Sequence, residues 1–560
     1  MARTPLLKAI VQLAREHHRA DALGLPTEAI REAVHETNCE ADWRAGSLSR
    51  RGFIGASAAA AATFAAPPFT MATAMAQTQP RIAIIGAGIA GLSAALKLAD
   101  NGVASTVYEA NARVGGRMFS NNNFFTQGQA FEWCGELIDT GHTTIRRLAS
   151  RFGLALDDLL SAEPAGSKET YYFFGQYYPK ADADRDFKRI APLLREDLRM
   201  AGPQTTVFAS TPAGQMLNRM SVYDWIESRV PGGHASPLGA LLDTAYFIEL
   251  NSDTREQSAL NLVYLLGYQP SWNELHMFGI SDEKYRVRGG NQQIPAAIAS
   301  QLGANAVQMG MRMEAIRRTA NGAYDLSLRQ GNSLHTVQAD LVLITTPFAV
   351  LRELDTGLAG FDTMKNFAIA NLGAGRQSKQ HLQFNRRVWN DLGSKPDRGN
   401  GSSYGDTGYQ ATWEASRAQA GSGGILVGYA GGPFADAMNS TLAFSTTSST
   451  STATAANVRR DAQRFLQQAE PVYPGLGALW NGLSAQGLPH LDPNMKCSYS
   501  YFKKGQYETI AGYERVRQGN VFFAGEHCSF DFQGFMEGGA TEGERAAVEM
   551  LTTAGFPVTR

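Results

Sequence analysis

From position 81 onward, the chain is built of short unbroken apolar runs separated by glycine turns and helical periodicities. Arg81-Ile82-Ala83-Ile84-Ile85 shows no polar alternation and reads as a strand buried on both faces of a parallel sheet. Gly86-Ala87-Gly88-Ile89-Ala90-Gly91 follows at once, and residues 92–98 take helical spacing. Residues 104–108 read as the next strand, and residues 307–316 as another. Leu341-Val342-Leu343-Ile344, within 339–346, has the unbroken apolar character of a doubly buried strand. Val521-Phe522-Phe523 is a further short strand before a turn. Amphipathic helices are expected at 143–152, 186–200, 220–229 and 238–249. Later, strand-like runs at 379–384 and 424–429 alternate with a helix at 455–469, and the Ser/Thr/Ala-rich stretch 439–456 reads as a flexible surface loop.

Strand, glycine turn and helix in immediate succession give the first chemistry. Gly86 permits the tight turn, Gly88 lets backbone approach a pyrophosphate, and Gly91 lets helix and strand pack closely. The phosphates would meet free N–H groups at the helix N-terminus. The second strand ends at Glu109, at the roughly 20-residue interval the dinucleotide fingerprint requires. A carboxylate there accepts hydrogen bonds from both ribose hydroxyls and repels a 2′-phosphate.

Composition bounds the rest. A chain of 560 residues is long enough for two or three domains with sizeable cores. Its net charge of −1 gives no basic field for nucleic acid or an anionic membrane surface. The first 76 residues read as a leader. Ser49-Arg50-Arg51-Gly52-Phe53-Ile54-Gly55 resembles the twin-arginine export signal. An alanine-rich run at 56–66 follows, too short for a permanent span, and Ala74-Met75-Ala76 has the small-x-small form of a cleavage site. Periplasmic or secreted localisation is expected from these features. Residues 3–45 carry helical patterning, which fits either a pro-segment or a chaperone-binding helix. Four cysteines, Cys39, Cys134, Cys497 and Cys528, make no disulfide framework and no metal-ligand spacing.

Arg113-Val114-Gly115-Gly116-Arg117 resembles the R-x-G-G-R that follows the ribose acid in flavin amine oxidases, and Arg117 offers a planar fork of donors to phosphate or flavin. Val521 to His527, with Gly525 and Glu526, is similar to the family's C-terminal FAD motif. Gly534-Phe535-Met536-Glu537-Gly538-Gly539-Ala540 is similar to the opening of its last helix, whose N-terminus would favour the anionic reduced ring. Cys497-Ser498-Tyr499-Ser500-Tyr501-Phe502-Lys503-Lys504-Gly505 resembles the monoamine oxidase segment C-Y-T-T-Y-F-P-P-G. There the cysteine carries the flavin and the next tyrosine walls an aromatic cage. Here Ser498 holds the cage position, so noncovalent FAD is expected, with Phe535 at the other cage position. Lys379, followed by Trp389, keeps the interval of the lysine that holds a water against flavin N5 in monoamine oxidases.

The resemblance, from about residue 80 to the end, implies an α/β fold with an α+β insertion. A Rossmann-like FAD-binding domain is assembled from 77–150, 281–350 and 496–560, and a substrate domain of mixed sheet and helices from 151–280 and 351–495. It implies oxidation of a CH–NH2 donor by FAD and molecular oxygen. Lys379 is the candidate catalytic residue, and Gly86, Gly88, Gly91, Glu109, Arg117, Gly525 and Glu526 the candidate cofactor ligands. Glu136, Ser498, Gly534 and Phe535 are the candidate substrate contacts. Asp139, beside Glu136, is either a second pocket acid or a turn former. The usual substrate-carboxylate arginine is absent near Gly135, which favours an amine. The stretch Gly135 to His142, together with the leader, is similar to exported bacterial L-amino-acid oxidases, including ones acting on arginine-like substrates. L-amino-acid oxidation of basic substrates such as L-arginine or L-lysine is therefore the leading expectation, with monoamine or polyamine oxidation as the alternative. A non-catalytic flavoprotein would require Lys379 and Phe535 to be incidental. No metal, nucleic-acid partner or membrane span is expected, and neither composition nor motif decides between a monomer and a homo-oligomer.

Overall fold

The computed structural model describes residues 79–558. The leader expectations at 1–76 lie outside them. The apolar runs form one five-stranded parallel sheet in the order Val521–Phe523, Leu341–Ile344, Ile82–Ile85, Thr106–Glu109, Val307–Met309. All four residues of both Ile82–Ile85 and Leu341–Ile344 are buried, as an unbroken apolar strand between two covering layers must be. The helix Ile89–Asp100 packs against the last helix, Met536–Thr553. Their approach is so close that a Cβ on Gly543 would fall 2.1 Å from Ala90 O, and one on Gly539 would fall 2.8 Å from Ile89 Cγ2.

The stretch 307–316 is not one strand. Val307–Met309 belongs to the parallel sheet, whereas Arg312–Arg318 belongs to a four-stranded sheet with Ser333–Ala339, Tyr324–Gln330 and Asp355–Leu358. The break falls at Gly310, whose φ of +70° turns the chain out of the first sheet.

The second large layer is an eight-stranded mixed sheet, ordered Phe444–Thr446, Trp480–Gly487, Gln377–Phe384, Gly424–Gly431, Ala411–Glu414, Gly399–Gly405, Lys168–Phe173, Gln176–Tyr178. Helix Pro237–Leu250 packs on four of these strands. The stretch 439–456 is also more ordered than its composition implies. Phe444–Thr446 is the edge strand, with Phe444 packed on Phe119 and Trp133, and Ser451 accepts from the Thr454 amide to cap helix Thr452–Ala469. Helix Lys180–Ala201 begins six residues before the expected 186 because its first turn is polar.

Gln377–Phe384 is the unusual member. It reads Gln-Ser-Lys-Gln-His-Leu-Gln-Phe, yet all eight residues are buried. Alternation along the strand sends Gln377, Lys379, His381 and Gln383 to one face, and Gln377 and Lys379 reach a large cavity between the two sheets.

Candidate active site

That cavity has a volume of about 1150 Å³. It exceeds the roughly 300–1,000 Å³ of an ordinary small-ligand pocket. One end is lined by Gly86, Gly88, Glu109, Gly116 and Arg117, and the other by Glu136, Lys379, Trp413, Tyr429, Ser498 and Phe535.

The first end is shaped by backbone constraints. Gly86 has φ +105°, and a Cβ there would lie 2.6 Å from Thr345 Oγ1. A Cβ on Gly91 would lie 2.0 Å from Gly86 O, whereas one on Gly88 would meet nothing within 4 Å, because the space above it is cavity. Gly88 caps helix Ile89–Asp100 without a side-chain acceptor, so the first-turn amides need an acceptor from outside the helix. Glu109 accepts from the amides of Ala87 at 2.7 Å and Asn111 at 2.8 Å, which fixes its carboxylate beside the turn. Burial raises its pKa, and those amide bonds oppose the rise.

Glu526 ties together three segments that meet here. It accepts from Arg117 Nη1 at 2.9 Å, from Ser500 Oγ at 2.8 Å and from the Gly534 amide at 2.9 Å. Burial alone would raise its pKa, but the Arg117 charge outweighs that and holds it below the usual range. A dinucleotide fits these residues: an open glycine turn for pyrophosphate, uncapped amides, a fixed acid at the ribose interval, and an elongated space running on to Phe535 and Met536 at the start of the last helix.

Cys497 does not line this cavity. It faces a small space shared with Arg352, Leu372 and His527, and its thiol lies 3.5 Å from Met495 O. Burial pushes its pKa up to about 11, so the nucleophilic thiolate is disfavoured. Both facts agree with noncovalent cofactor binding.

At the second end, Lys379 Nζ donates to Cys134 O at 3.0 Å and to Glu136 Oε2 at 2.6 Å. Trp413 Nε1 donates to the same oxygen at 3.2 Å, and Arg286 Nη1 lies 3.5 Å from Glu136 Oε1. Burial would raise the Glu136 pKa, but the charges of Lys379 and Arg286 together hold it below its ordinary value. Ser498 lines the cavity and its Oγ accepts from Asn251 Nδ2 at 3.2 Å. Phe535 lines the cavity with His142 packed edge-on behind it, ring centroids 5.2 Å apart. Gly534 abuts the ring of Tyr499. Asp139 is behind the wall rather than in it: its Oδ1 accepts from the Glu283 amide at 2.9 Å.

Sequence reasoning did not single out Trp413, Tyr429, Tyr499, Glu249 or Glu283 as site residues, although all line the cavity. Tyr429 donates to Gln377 Oε1 at 2.8 Å and accepts from Asn251 Nδ2 at 2.9 Å. Glu249 ends helix Pro237–Leu250, and Glu283 stands in a loop with a left-handed φ of +46°. Among the described residues, no arginine or lysine pairs with either carboxylate. Burial raises Glu249 to about 7; burial and the neighbouring carboxylates of Asp139 and Glu249 raise Glu283 well above the usual range. Two basic side chains on this side of the cavity are engaged with acids of the protein, Arg417 with Glu163 at 2.7 Å and Lys180 with Asp184, and Lys168 also lines it.

A parallel sheet assembled from distant segments, with a glycine cradle and a large cavity shared with a mixed sheet, defines a dinucleotide-binding protein with a second compartment beside the cofactor site. The chain belongs to the flavin containing amine oxidoreductase family, whose profile matches residues 89–551. FAD is its cofactor. It is 23% identical over 340 residues to an L-amino-acid oxidase of Sistrurus catenatus edwardsii, a match covering 56% of this chain and 59% of that relative's length. It is 23% identical over 496 residues to the putative L-amino-acid oxidase YobN of Bacillus subtilis (strain 168), covering 85% of this chain and 95% of the relative. In fold it is similar to the cyclohexylamine oxidase from Brevibacterium oxydans IH-35A, with a TM-score of 0.70 at 20% identity over 85% of this chain and 100% of the other.

Proposed function

We propose that the protein is an FAD-dependent L-amino-acid oxidase acting on basic substrates of the L-arginine or L-lysine class. FAD, when bound, supplies the two-electron acceptor. The substrate loses a hydride from carbon and a proton from nitrogen, water hydrolyses the resulting imine to the 2-oxo acid and ammonia, and the two electrons leave on oxygen as hydrogen peroxide. Lys379 is the catalytic residue in this reading: its buried ammonium, on the cavity wall, favours negative charge developing on oxygen. Phe535, Tyr499 and Trp413 bound the space for the substrate body, and Tyr429 and Gln377, hydrogen-bonded to each other, line the same space. The observation that carries the substrate class is the pair Glu249 and Glu283, two cavity-lining carboxylates without a basic partner among the described residues. A cationic side chain supplies that partner by charge-assisted hydrogen bonds.

A di- or polyamine is the second reading. It is favoured by the engagement of Lys379, Arg417 and Lys180 with acids of the protein itself, which among these described residues leaves no free cation for a substrate carboxylate. Peroxide release from L-arginine, L-lysine, putrescine, phenylethylamine and L-leucine tests both. Turnover led by L-arginine or L-lysine supports the first reading. Turnover of putrescine with none of any L-amino acid replaces it by the second, and preference for phenylethylamine or L-leucine removes both.

We also infer export by the twin-arginine route, from Arg50 and Arg51, the apolar run behind them and Ala74-Met75-Ala76. Replacing both arginines with lysine is expected to leave a longer precursor in the cytoplasm; normal periplasmic recovery of the double variant contradicts the assignment.

A further inference from the structure

We propose that Glu136 is the positioning residue for Lys379 rather than a contact for the substrate's cation. The inference rests on the reading of Lys379 as catalytic. Lys379 stands in the middle of a fully buried strand and is 1% exposed; Glu136 is 6% and Arg286 3% exposed. A buried ammonium needs a counter-charge and a fixed set of acceptors. Glu136 Oε2 at 2.6 Å and Cys134 O at 3.0 Å supply them, both from the segment that follows strand Phe131–Glu132. Glu136 is held in turn by Trp413 Nε1 at 3.2 Å and by Arg286 at 3.5 Å, from two further segments.

The charge balance excludes the substrate role on physical grounds. The Glu136 carboxylate already lies between two cations, and the neighbouring Glu132, raised to about 7 by burial, is only partly charged at neutral pH, so the cluster offers no free acceptor to a third cation. His381, two residues along the same strand face, is kept neutral because burial and then the Lys379 charge lower its pKa to about 3. Lys379 is the member of the cluster that lines the cavity together with Trp413 and Glu136, while Arg286 stays behind them. The carboxylate therefore fixes where the ammonium points, and the ammonium keeps the cavity wall positive.

Glu136→Gln, Glu136→Asp and Lys379→Met, alone and combined in the FAD-loaded protein, test this. Stopped-flow traces give the oxygen-consuming half-reaction, and steady-state assays give KM for L-arginine and L-leucine. Glu136→Gln is expected to slow the oxygen half-reaction at least about tenfold, on the scale of a lost electrostatic stabiliser. KM should change less than about twofold for either substrate. Adding Glu136→Gln to Lys379→Met should change the oxygen half-reaction no further, because both act through one ammonium. A crystal structure of the Glu136→Gln variant is expected to show Lys379 Nζ displaced from Cys134 O. Glu136→Asp, which keeps the charge, is expected to retain more oxygen reactivity than Glu136→Gln, and it keeps the comparison available should Glu136→Gln fail to fold. A selective rise in KM for L-arginine with an unchanged oxygen half-reaction, or additive losses in the double variant, would overturn the proposal.

Discussion

The two ends of the cavity are made in opposite ways. The cofactor end is largely backbone: glycine turns, uncapped helix amides and one acid at a set interval lie within a short stretch of chain, and the Arg117–Glu526 pair ties that stretch to the C-terminal segments. The substrate end is side chain: Glu136, Glu249, Glu283, Lys379, Trp413, Tyr429 and Phe535 come from distant segments and meet only because the eight-stranded sheet and helix Pro237–Leu250 bring them together. Glycines leave little room for substitution, since a Cβ at Gly91 has nowhere to go. Side-chain walls can be exchanged one at a time, and specificity can change there without disturbing the cofactor.

The largest effect expected is at the cofactor end. Gly91→Val places a branched side chain where a single Cβ would already lie 2.0 Å from Gly86 O. The purified variant is expected to lack flavin absorbance in the visible or to be recovered only as aggregate. A yellow, active Gly91→Val protein would break the claim that backbone makes this end. Glu109→Ala is expected to fold, because Glu109 serves only two amides, but to lose about 1.5–3 kcal/mol of FAD affinity with the charged ribose acceptor. That is roughly a 10–150-fold rise in Kd, read by fluorescence titration of the apoprotein. An unchanged Kd would leave Glu109 a turn-former.

At the substrate end, a bound guanidinium opposes the burial and carboxylate repulsion that raise the Glu283 pKa and favours its ionised form, so Glu283→Gln is expected to leave flavin content unchanged and to raise KM for L-arginine about tenfold, the scale of about 1.4 kcal/mol for one charged contact. The same KM rise for L-leucine would show that the loop and not the charge is at work. The smallest effect is a pH dependence. Glu249 has its pKa raised to about 7, so it is largely neutral below that pH and charged above it. Attraction for a cationic side chain therefore grows as pH rises through about 7. The kcat/KM for L-lysine should gain a limb there that an uncharged amino acid, with the same α-amine, lacks. Parallel profiles for the two would remove Glu249 from the account.

The same contrast governs what could be read from sequence. Gly86, Gly88, Gly91 and Glu109 were legible because a tight turn and a helix start impose residue types at fixed local intervals. The doubly buried strands were legible for the same reason, as apolar runs with no alternation. Strand 307–316 misled because Gly310 carries the chain from one sheet to another within an unbroken extended pattern. The Ser/Thr-rich stretch misled because Phe444 anchors an edge strand that composition alone does not mark. Lys379 stood out as a lysine in a strand that also carries Leu382 and Phe384, but its partners did not: Arg286 is 150 positions from Glu136, and no local pattern joins them. Glu249 and Glu283 look in sequence like the polar end of a helix and a loop acid. Only the fold aims them into the cavity.

The claim that the substrate end selects a distal cation through Glu249 and Glu283 is tested most directly by one ratio. It is kcat/KM for L-lysine over L-norleucine, which share a six-carbon skeleton and differ by the terminal ammonium, measured in the parent and in the Glu249→Gln, Glu283→Gln double variant. A ratio of at least about 10 is expected in the parent, equivalent to about 1.4 kcal/mol, and a ratio near one in the double variant with flavin content unchanged. A parent ratio at or below one, or a ratio that survives the loss of both carboxylates, would contradict it.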